Sequence, residues 1–213
     1  MSRFSQRFTV VRLALIGAAM LSASCMVGPA EVPLMGAARV TSDFETYQVR
    51  RVGLVPFGAV DKEVLAAHQV GALETTFHAE LSAGTSYDIV PLRSYDLAGV
   101  IPPDPFRAGW YSPEAILTLR NRYRLDAILV GTITSRRIVA PQVLGMQLDL
   151  VSCETGATIW SCDLILDAAR ESTRDAIEVW ARHELGDPDG AALALLSPKK
   201  FAHFAAFQMA RLL

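Results

Sequence analysis

The chain has 213 residues, of which 51% are hydrophobic, and its 20 basic and 22 acidic side chains give a formal net charge of −2. Three of the basic residues and none of the acidic ones lie in positions 1–24, so the 189 residues after them carry 17 basic against 22 acidic side chains, a net charge of −5. This balance leaves no basic surface for a phosphate backbone and excludes nucleic acid as a partner.

The amino-terminal residues have the order of a secretory leader. Arg3, Arg7 and Arg12 are followed by an apolar run over 13–21 and by small residues before Cys25. Because a bilayer span needs roughly 20 apolar residues, a permanent transmembrane helix is the weaker interpretation. We predict a signal peptide over 1–24. Ordinary cleavage without a lipid and an uncleaved anchor are the alternatives.

The segment Leu21–Cys25 resembles the lipobox of bacterial lipoproteins, in which the cysteine is diacylated on sulfur and becomes the new amino terminus. Lipoboxes favour leucine three residues before the cysteine, where this chain has Ser22, and Leu21 lies one step further away. The resemblance implies a lipid anchor on Cys25 that can be labelled with palmitate. Met26 takes the position where aspartate would favour the inner membrane, which points to the outer membrane and a periplasmic domain.

The first predicted elements follow a tether. Residues 25–46, with the lipidated cysteine, are rich in Gly, Pro and Ala and lack periodicity, so we assign them to a flexible linker before a single αβ domain over 47–213. A β-branched and aromatic strand over 49–57 opens this domain. Apolar side chains at helical spacing then predict a helix over 62–83.

The middle of the chain continues the alternation of strand and helix. A short strand over 87–92 precedes a proline-rich loop, and Ser112-Pro113-Glu114 is a helix start whose helix should reach Tyr123. The segment 126–133 is almost wholly apolar, as is typical of a central strand covered on both faces.

Two alternating segments around Thr155-Gly156 predict a β-hairpin over 144–166. A two-residue loop would leave Cys153 and Cys162 about 13 Å apart along the strands. A bulge at Gly156 would shift the register by one residue and turn the two thiols to opposite faces. Neither register permits a disulfide, which needs Cα atoms within about 7 Å. We expect both cysteines to be small core or half-buried residues.

Two helices complete the chain. The first spans 172–185 with Ala176, Ile177 and Trp180 as its apolar stripe, and the second starts at Ser197-Pro198. The order is therefore β-α-β-α-β-β-β-α-α. It predicts an α/β (α+β) fold, a mixed β-sheet of about five strands with helices packed on it.

Three segments resemble a known family. "VGLVPF" at 52–57, "DAILVGTI" at 126–133 and "VSCETGATIWS" at 151–161 are similar to core strands and the Thr-Gly hairpin of periplasmic lipoproteins related to the TolB amino-terminal domain, a group that includes CsgG and LpoB. The resemblance covers about 47–185. It implies a domain that contacts other envelope proteins without catalysis. A subunit of a CsgG-like secretion channel is an alternative, although the chain lacks additional long alternating segments for a pore.

Sequence patterns of enzymes and metal sites are missing. No two histidines have the i, i+3 or i, i+4 spacing of helix-borne ligands, and the chain has no CxxC pair, phosphate loop or nucleophile elbow. We therefore predict no enzyme, cofactor, metal or small-molecule substrate. An exported enzyme with a scattered site stays an alternative. Asp149 and Asp163 lie on adjacent strands, but the two-residue-loop register turns them to opposite faces, so we interpret both as solvated.

The tryptophans provide the candidate contact surface. Trp160 and Trp180 are expected to pack in the core between the hairpin and the following helix. Trp110 and Tyr111 lie beside the proline-rich loop and are the candidate partner surface. The chain as a whole is predicted to be a membrane-anchored periplasmic lipoprotein that acts as a non-catalytic protein-binding or envelope-assembly module.

Overall fold

Helices cover both faces of one mixed β-sheet. The structure is a computed structural model that describes residues 31–60, 67–97, 112–184, 186 and 189–213. By their internal contacts Val32–Leu213 form one unit. The leader, the proline-rich loop and the beginning of the first predicted helix lie outside the described residues. Within these ranges none of the helices has the length and hydropathy that a membrane span requires.

The predicted mixed αβ architecture is confirmed, with more strands than expected. Within the described ranges the strands are β1 (Ala37–Val40), β2 (Arg51–Leu54), β3 (Gly58–Ala59), β4 (Asp88–Pro91), β5 (Ala127–Arg137), β6 (Val143–Ser152) and β7 (Thr158–Asp167). The helices there are α1 (Ala67–Gly84), α2 (Ser94–Leu97), α3 (Pro113–Tyr123), α4 (Glu171–Glu184), α5 (Gly190–Leu196) and α6 (Pro198–Ala210). A 3-10 turn, Phe44–Tyr47, connects β1 to β2.

The strand order places β5 at the centre of the sheet, as its apolar sequence predicts. The order is β1-β7-β6-β5-β2-β4, and β3 pairs with β5 beyond the end of β2. β2 runs parallel to β4 and β5, whereas β5, β6, β7 and β1 are joined antiparallel. Ala127 and Leu129 are buried toward α1, α4 and α6, and Ile128 and Val130 are buried toward α3.

Strand β1 lies within the segment that the sequence predicts to be a flexible tether. The sequence pattern assigns 25–46 to a flexible linker, but Ala37–Val40 pair with β7, and Val32 is 4% exposed. Side chains of β1 are mostly exposed because it is an edge strand, so backbone pairing fixes its position and no apolar pattern marks it in the sequence. The folded unit therefore begins at Val32, seven residues after Cys25.

The hairpin has the register shifted by one residue from that of a two-residue loop, but the irregularity lies between Leu150 and Val151 and not at Gly156. Leu148 lies opposite Cys162, and the register shifts between Leu150 and Val151. Gly156 has a φ of 73°, which glycine adopts without strain. Cys153 is consequently buried beneath α3, while Cys162 is buried on the opposite face of the sheet.

The thiols of Cys153 and Cys162 are not in a disulfide, and burial makes both unreactive. Burial raises the pKa of Cys153 to about 12, with Arg120 opposing the rise. Burial, reinforced by Asp163 and Asp149, raises the pKa of Cys162 to about 11. Since the thiolate is the reactive species, neither cysteine is a nucleophile at neutral pH.

Two Ser-Pro sequences start helices in the way the pattern predicts. The Ser112 hydroxyl oxygen accepts a hydrogen bond from the Ala115 N–H at 3.1 Å at the start of α3. Ser197 does the same for the Lys200 N–H at 3.4 Å at the start of α6. These caps satisfy amide groups that have no partner inside the helix.

Candidate functional site

The residues singled out from sequence lie outside the part of the chain that the structure describes. Cys25 belongs to the leader region, and Trp110 and Tyr111 follow the proline-rich loop. Their assignment as lipidation site and partner surface stays a prediction. A different candidate surface is formed by exposed apolar side chains among the described residues.

Four large apolar side chains are exposed on two neighbouring elements. In the loop between β5 and β6, Val139 is 71% exposed and Ile138 is 40% exposed. In α5, Leu196 is 68% exposed and Leu193 is 51% exposed. We refer to Ile138, Val139, Leu193 and Leu196 as the apolar patch.

The exposure of α5 follows from its sequence, "GAALALL". Gly190 and Ala194, four residues apart, face the core and are buried. Small residues at these positions let the helix approach α4 and α6 closely, but the larger leucines then point outward. A short surface helix normally carries polar side chains on that side. The two exposed leucines are therefore unexplained by folding alone.

Gln142 fixes the loop against α5. Its side chain is 2% exposed, its Nε2 donates to the Leu195 carbonyl at 2.9 Å, and its own carbonyl accepts from the Ala168 N–H at 2.9 Å. A crevice of only about 10 Å³, lined among others by Ile138 and Pro198, lies between this loop and the start of α6. The halves of the patch thus have a defined relative position.

The rim of the patch is polar and carries both signs of charge. The Arg137 Nε donates to the Pro141 carbonyl at 2.6 Å, and its guanidinium lies 4.0 Å from the Asp167 carboxylate. Lys199 is exposed at the first turn of α6, directly after Pro198 of the crevice. An apolar centre with a mixed polar rim is the usual composition of a protein–protein contact surface.

Arg136 has a structural role and is not part of the rim of the apolar patch. It is half-buried, and its Nη1 donates to the Gln69 carbonyl at 3.4 Å, which ties β5 to α1. Burial lowers its pKa. Arg137, the next residue, is exposed at this end of β5.

A second concave surface lies at the carboxyl ends of β2 and β4, where parallel sheets often bind ligands. It encloses about 340 Å³ between α1 and the residues that follow the two strands. Glu74 and His78 of α1 and Arg93 after β4 supply its titratable groups. Burial raises the pKa of Glu74, and the hydrogen bond from the Phe57 N–H opposes that rise.

The polar groups that α1 contributes to this groove already have partners in the fold. Glu74 Oε1 accepts from the Phe57 N–H at 2.7 Å. His78 Nε2 donates to the Ile89 carbonyl at 3.2 Å on the outer edge of β4. Pro91 lacks an N–H, so the edge of β4 is protected from further strand pairing. We interpret the groove as a structural junction.

The two aspartates of the hairpin share one face of the sheet, contrary to the two-residue-loop prediction. Asp149 lies opposite Ser161, and Asp163 lies two residues further along β7. Asp149 is 4% exposed and accepts a hydrogen bond from Gln147 Nε2 at 2.9 Å. Burial raises its pKa, the Gln147 bond opposes the rise, and the charge of Asp163 adds to it. The interpretation of Asp149 as a solvated residue was wrong.

Replacing Asp149 with asparagine is expected to increase the free energy of unfolding at pH 7. The raised pKa means that the folded state binds a proton more tightly than the unfolded state, so ionisation costs stability as the pH rises above the carboxyl range. The gain should shrink as the pH falls and the wild-type carboxyl becomes protonated. Urea unfolding at several pH values measures it.

The exposed turn residue Glu154 offers a matched control. Glu154→Gln should leave the stability difference small at every pH. A D149N variant that is less stable than the wild type at pH 7, with no change on acidification, would show that the Asp149 carboxylate is needed in its ionised form.

The comparisons with known proteins concern the fold. No protein-family profile matches the chain, and no curated protein matches it. Among solved structures it is similar to the PelC dodecamer from Paraburkholderia phytofirmans, at 16% identity over 67% of this chain and 89% of that chain, with a TM-score of 0.43.

Two further solved structures are similar to this chain. Lipoprotein GNA1162 from Neisseria meningitidis has 15% identity over 55% of this chain and 81% of that chain, with a TM-score of 0.43. The LpoB C-terminal domain from Escherichia coli has 15% identity over 55% and 82%, with a TM-score of 0.37. At TM-scores below 0.5 these likenesses carry no argument about function, which depends on the residues of this chain.

Proposed function

We propose that this chain is a membrane-anchored lipoprotein whose αβ unit is a non-catalytic protein-binding or assembly module of the cell envelope. The acyl groups on Cys25 hold it at the membrane, in the outer membrane and facing the periplasm, and its partners are envelope proteins. The observation that carries the binding role is the apolar patch. Four exposed apolar side chains lie on two elements whose relative position Gln142 fixes.

The apolar patch supports a binding role because exposing apolar side chains to water is unfavourable in free energy. Each exposed leucine or valine forgoes about 1.5–3 kcal/mol that burial would provide. Single exposed apolar residues are common, but clusters with polar rims mark contact surfaces. No side chain of the patch can donate or accept a proton, so its chemistry is association.

The leader supports the location. Acylation at Cys25 would confine the unit to a thin layer next to the bilayer and raise its local concentration there. A single acyl chain binds a membrane only marginally, so the diacyl modification of the lipoprotein type is the one that makes the attachment lasting. A modest contact at the patch then suffices for function.

Acylation is tested by labelling cells that express the full chain with radioactive palmitate. We expect label in the wild type, complete loss of label in Cys25→Ala, and release of that variant from the membrane fraction. Cys153→Ala removes a buried thiol and should keep its label, which makes it the matched control. Wild-type chain without palmitate, or a full-length chain in the cytosol with its leader intact, would refute the proposal.

A further inference from the structure

We infer that the end of the folded unit formed by Val32–Met35 and the last turn of α6 contacts the phospholipid headgroups of the bilayer, and that the apolar patch faces away from it. This inference rests on the proposed acylation of Cys25. It adds an orientation and a lipid-contacting surface to the proposed function.

The point at which the tether enters the fold is fixed by α6. Gln208, which is fully buried, donates from Nε2 to the Pro33 carbonyl at 3.0 Å and accepts at Oε1 from the Met35 N–H at 2.9 Å. Arg211 Nη1 donates to the Val32 carbonyl at 3.3 Å. The first residues of the unit are therefore held beside the carboxyl-terminal end of α6.

The length of the tether limits how the unit can be placed. Val32 lies seven residues after the acylated Cys25, so this stretch of chain reaches at most about 25 Å when fully extended. The apolar patch adjoins the opposite end of α6, where Pro198 lines the crevice that it shares with Ile138. The 13 residues of α6 span about 20 Å.

The length of the tether and the length of α6 favour one of two orientations of the unit on the membrane. Laying the patch on the membrane would lift Val32 by about the length of α6, which requires a nearly straight tether and loses its conformational freedom. Turning the Val32 end toward the membrane imposes no such requirement. The patch is then presented to a partner on the side away from the lipid.

The side chains around the tether entry suit a shallow contact with headgroups. Leu34 is 47% exposed, and Leu212 and Leu213 are half-buried at the end of the chain. Arg211 stacks on the Phe207 ring at 5.6 Å and is exposed, so it places a cationic group beside these leucines. Leucines with an adjacent basic side chain are typical of surfaces that rest on anionic lipid.

Fluorescence quenching of the acylated full chain tests the orientation. Leu34→Cys and Val139→Cys each receive a bimane label. Cys153 and Cys162 are buried and do not react with the label, and the acylated Cys25 has no free thiol. The proteins are reconstituted in vesicles of phosphatidylethanolamine and phosphatidylglycerol with nitroxide-bearing headgroups. We expect loss of fluorescence from the label at position 34 and unchanged fluorescence at position 139.

The outcomes separate this inference from the proposed function. Quenching at position 139, or equal or absent quenching at both positions in palmitate-labelled chain, would overturn the orientation and leave the lipoprotein assignment standing. Failure of the wild-type chain to incorporate palmitate would overturn both. A flexible insertion between Met26 and Val32 is the matched control, because a longer tether should reduce the difference between the two labels.

Discussion

Replacing Trp180 with alanine is expected to lower the free energy of unfolding by about 3–5 kcal/mol, the usual cost of removing a buried tryptophan. Trp180 lies in α4 and is 1% exposed. Its ring is 5.3 Å from the rings of His203 and Phe204 and 6.2 Å from that of Phe207, all in α6. Aromatic pairs of this geometry add to the energy of burial, so the substitution removes much of the contact between the two helices.

Urea unfolding followed by circular dichroism measures this loss, since the signal of the peptide groups does not depend on the replaced ring. Trp180→Phe keeps an aromatic ring and should cost less than alanine. Glu178→Ala, on the exposed side of the same helix, removes only a surface pair with Arg182 at 2.6 Å and should change stability by less than about 0.5 kcal/mol. A Trp180→Ala variant as stable as Glu178→Ala would show that α4 and α6 do not depend on this contact.

A double substitution in the apolar patch, Val139→Glu with Leu196→Glu, is expected to weaken partner capture by about 100-fold or more. Burying two such side chains at a contact provides about 3 kcal/mol or more, and every 1.4 kcal/mol corresponds to a factor of ten in affinity. Both side chains are exposed, so the folded unit should keep its stability. A photoreactive amino acid at Leu193 and cross-linking in intact cells measure the capture of envelope proteins.

Ile165→Glu is the matched control for the patch. Ile165 is 59% exposed on β7, has a similar size and polarity to the patch residues, and should leave cross-linking unchanged. If the double variant retains its cross-linked species, the patch is not the contact surface. The predicted surface at Trp110 and Tyr111 would then be examined next by the same labelling.

Local sequence patterns predicted the elements that depend on local physics. The apolar segment 126–133 became the central strand β5, and the Ser112-Pro113 start became the first turn of α3. In both cases the local sequence is sufficient to predict the element. A strand buried on both faces requires a continuous apolar run, and a helix cap requires a hydroxyl next to the first amides of the helix.

Elements that depend on distant partners were missed. β1 has no pattern of its own because its position comes from pairing with β7. The hairpin register depended on an irregularity between Leu150 and Val151, and the two-residue-loop register put Asp149 and Asp163 on opposite faces. Helix α5 lacks polar residues, so no amphipathic pattern marked it or revealed its exposed leucines. Consecutive apolar residues in the loop, Ile138-Val139, were the available signal for the patch.

The hydrogen bonds of Gln208 have a mechanical consequence. Any tension on the residues before Val32 would enter the unit at Pro33 and Met35, and Gln208 would pass that load directly to α6. The Trp160 indole, whose Nε1 donates to the Leu212 carbonyl at 2.9 Å, links the same end to the hairpin. Such a load would therefore be shared by α6 and β7 before the edge strand β1 could separate from the sheet.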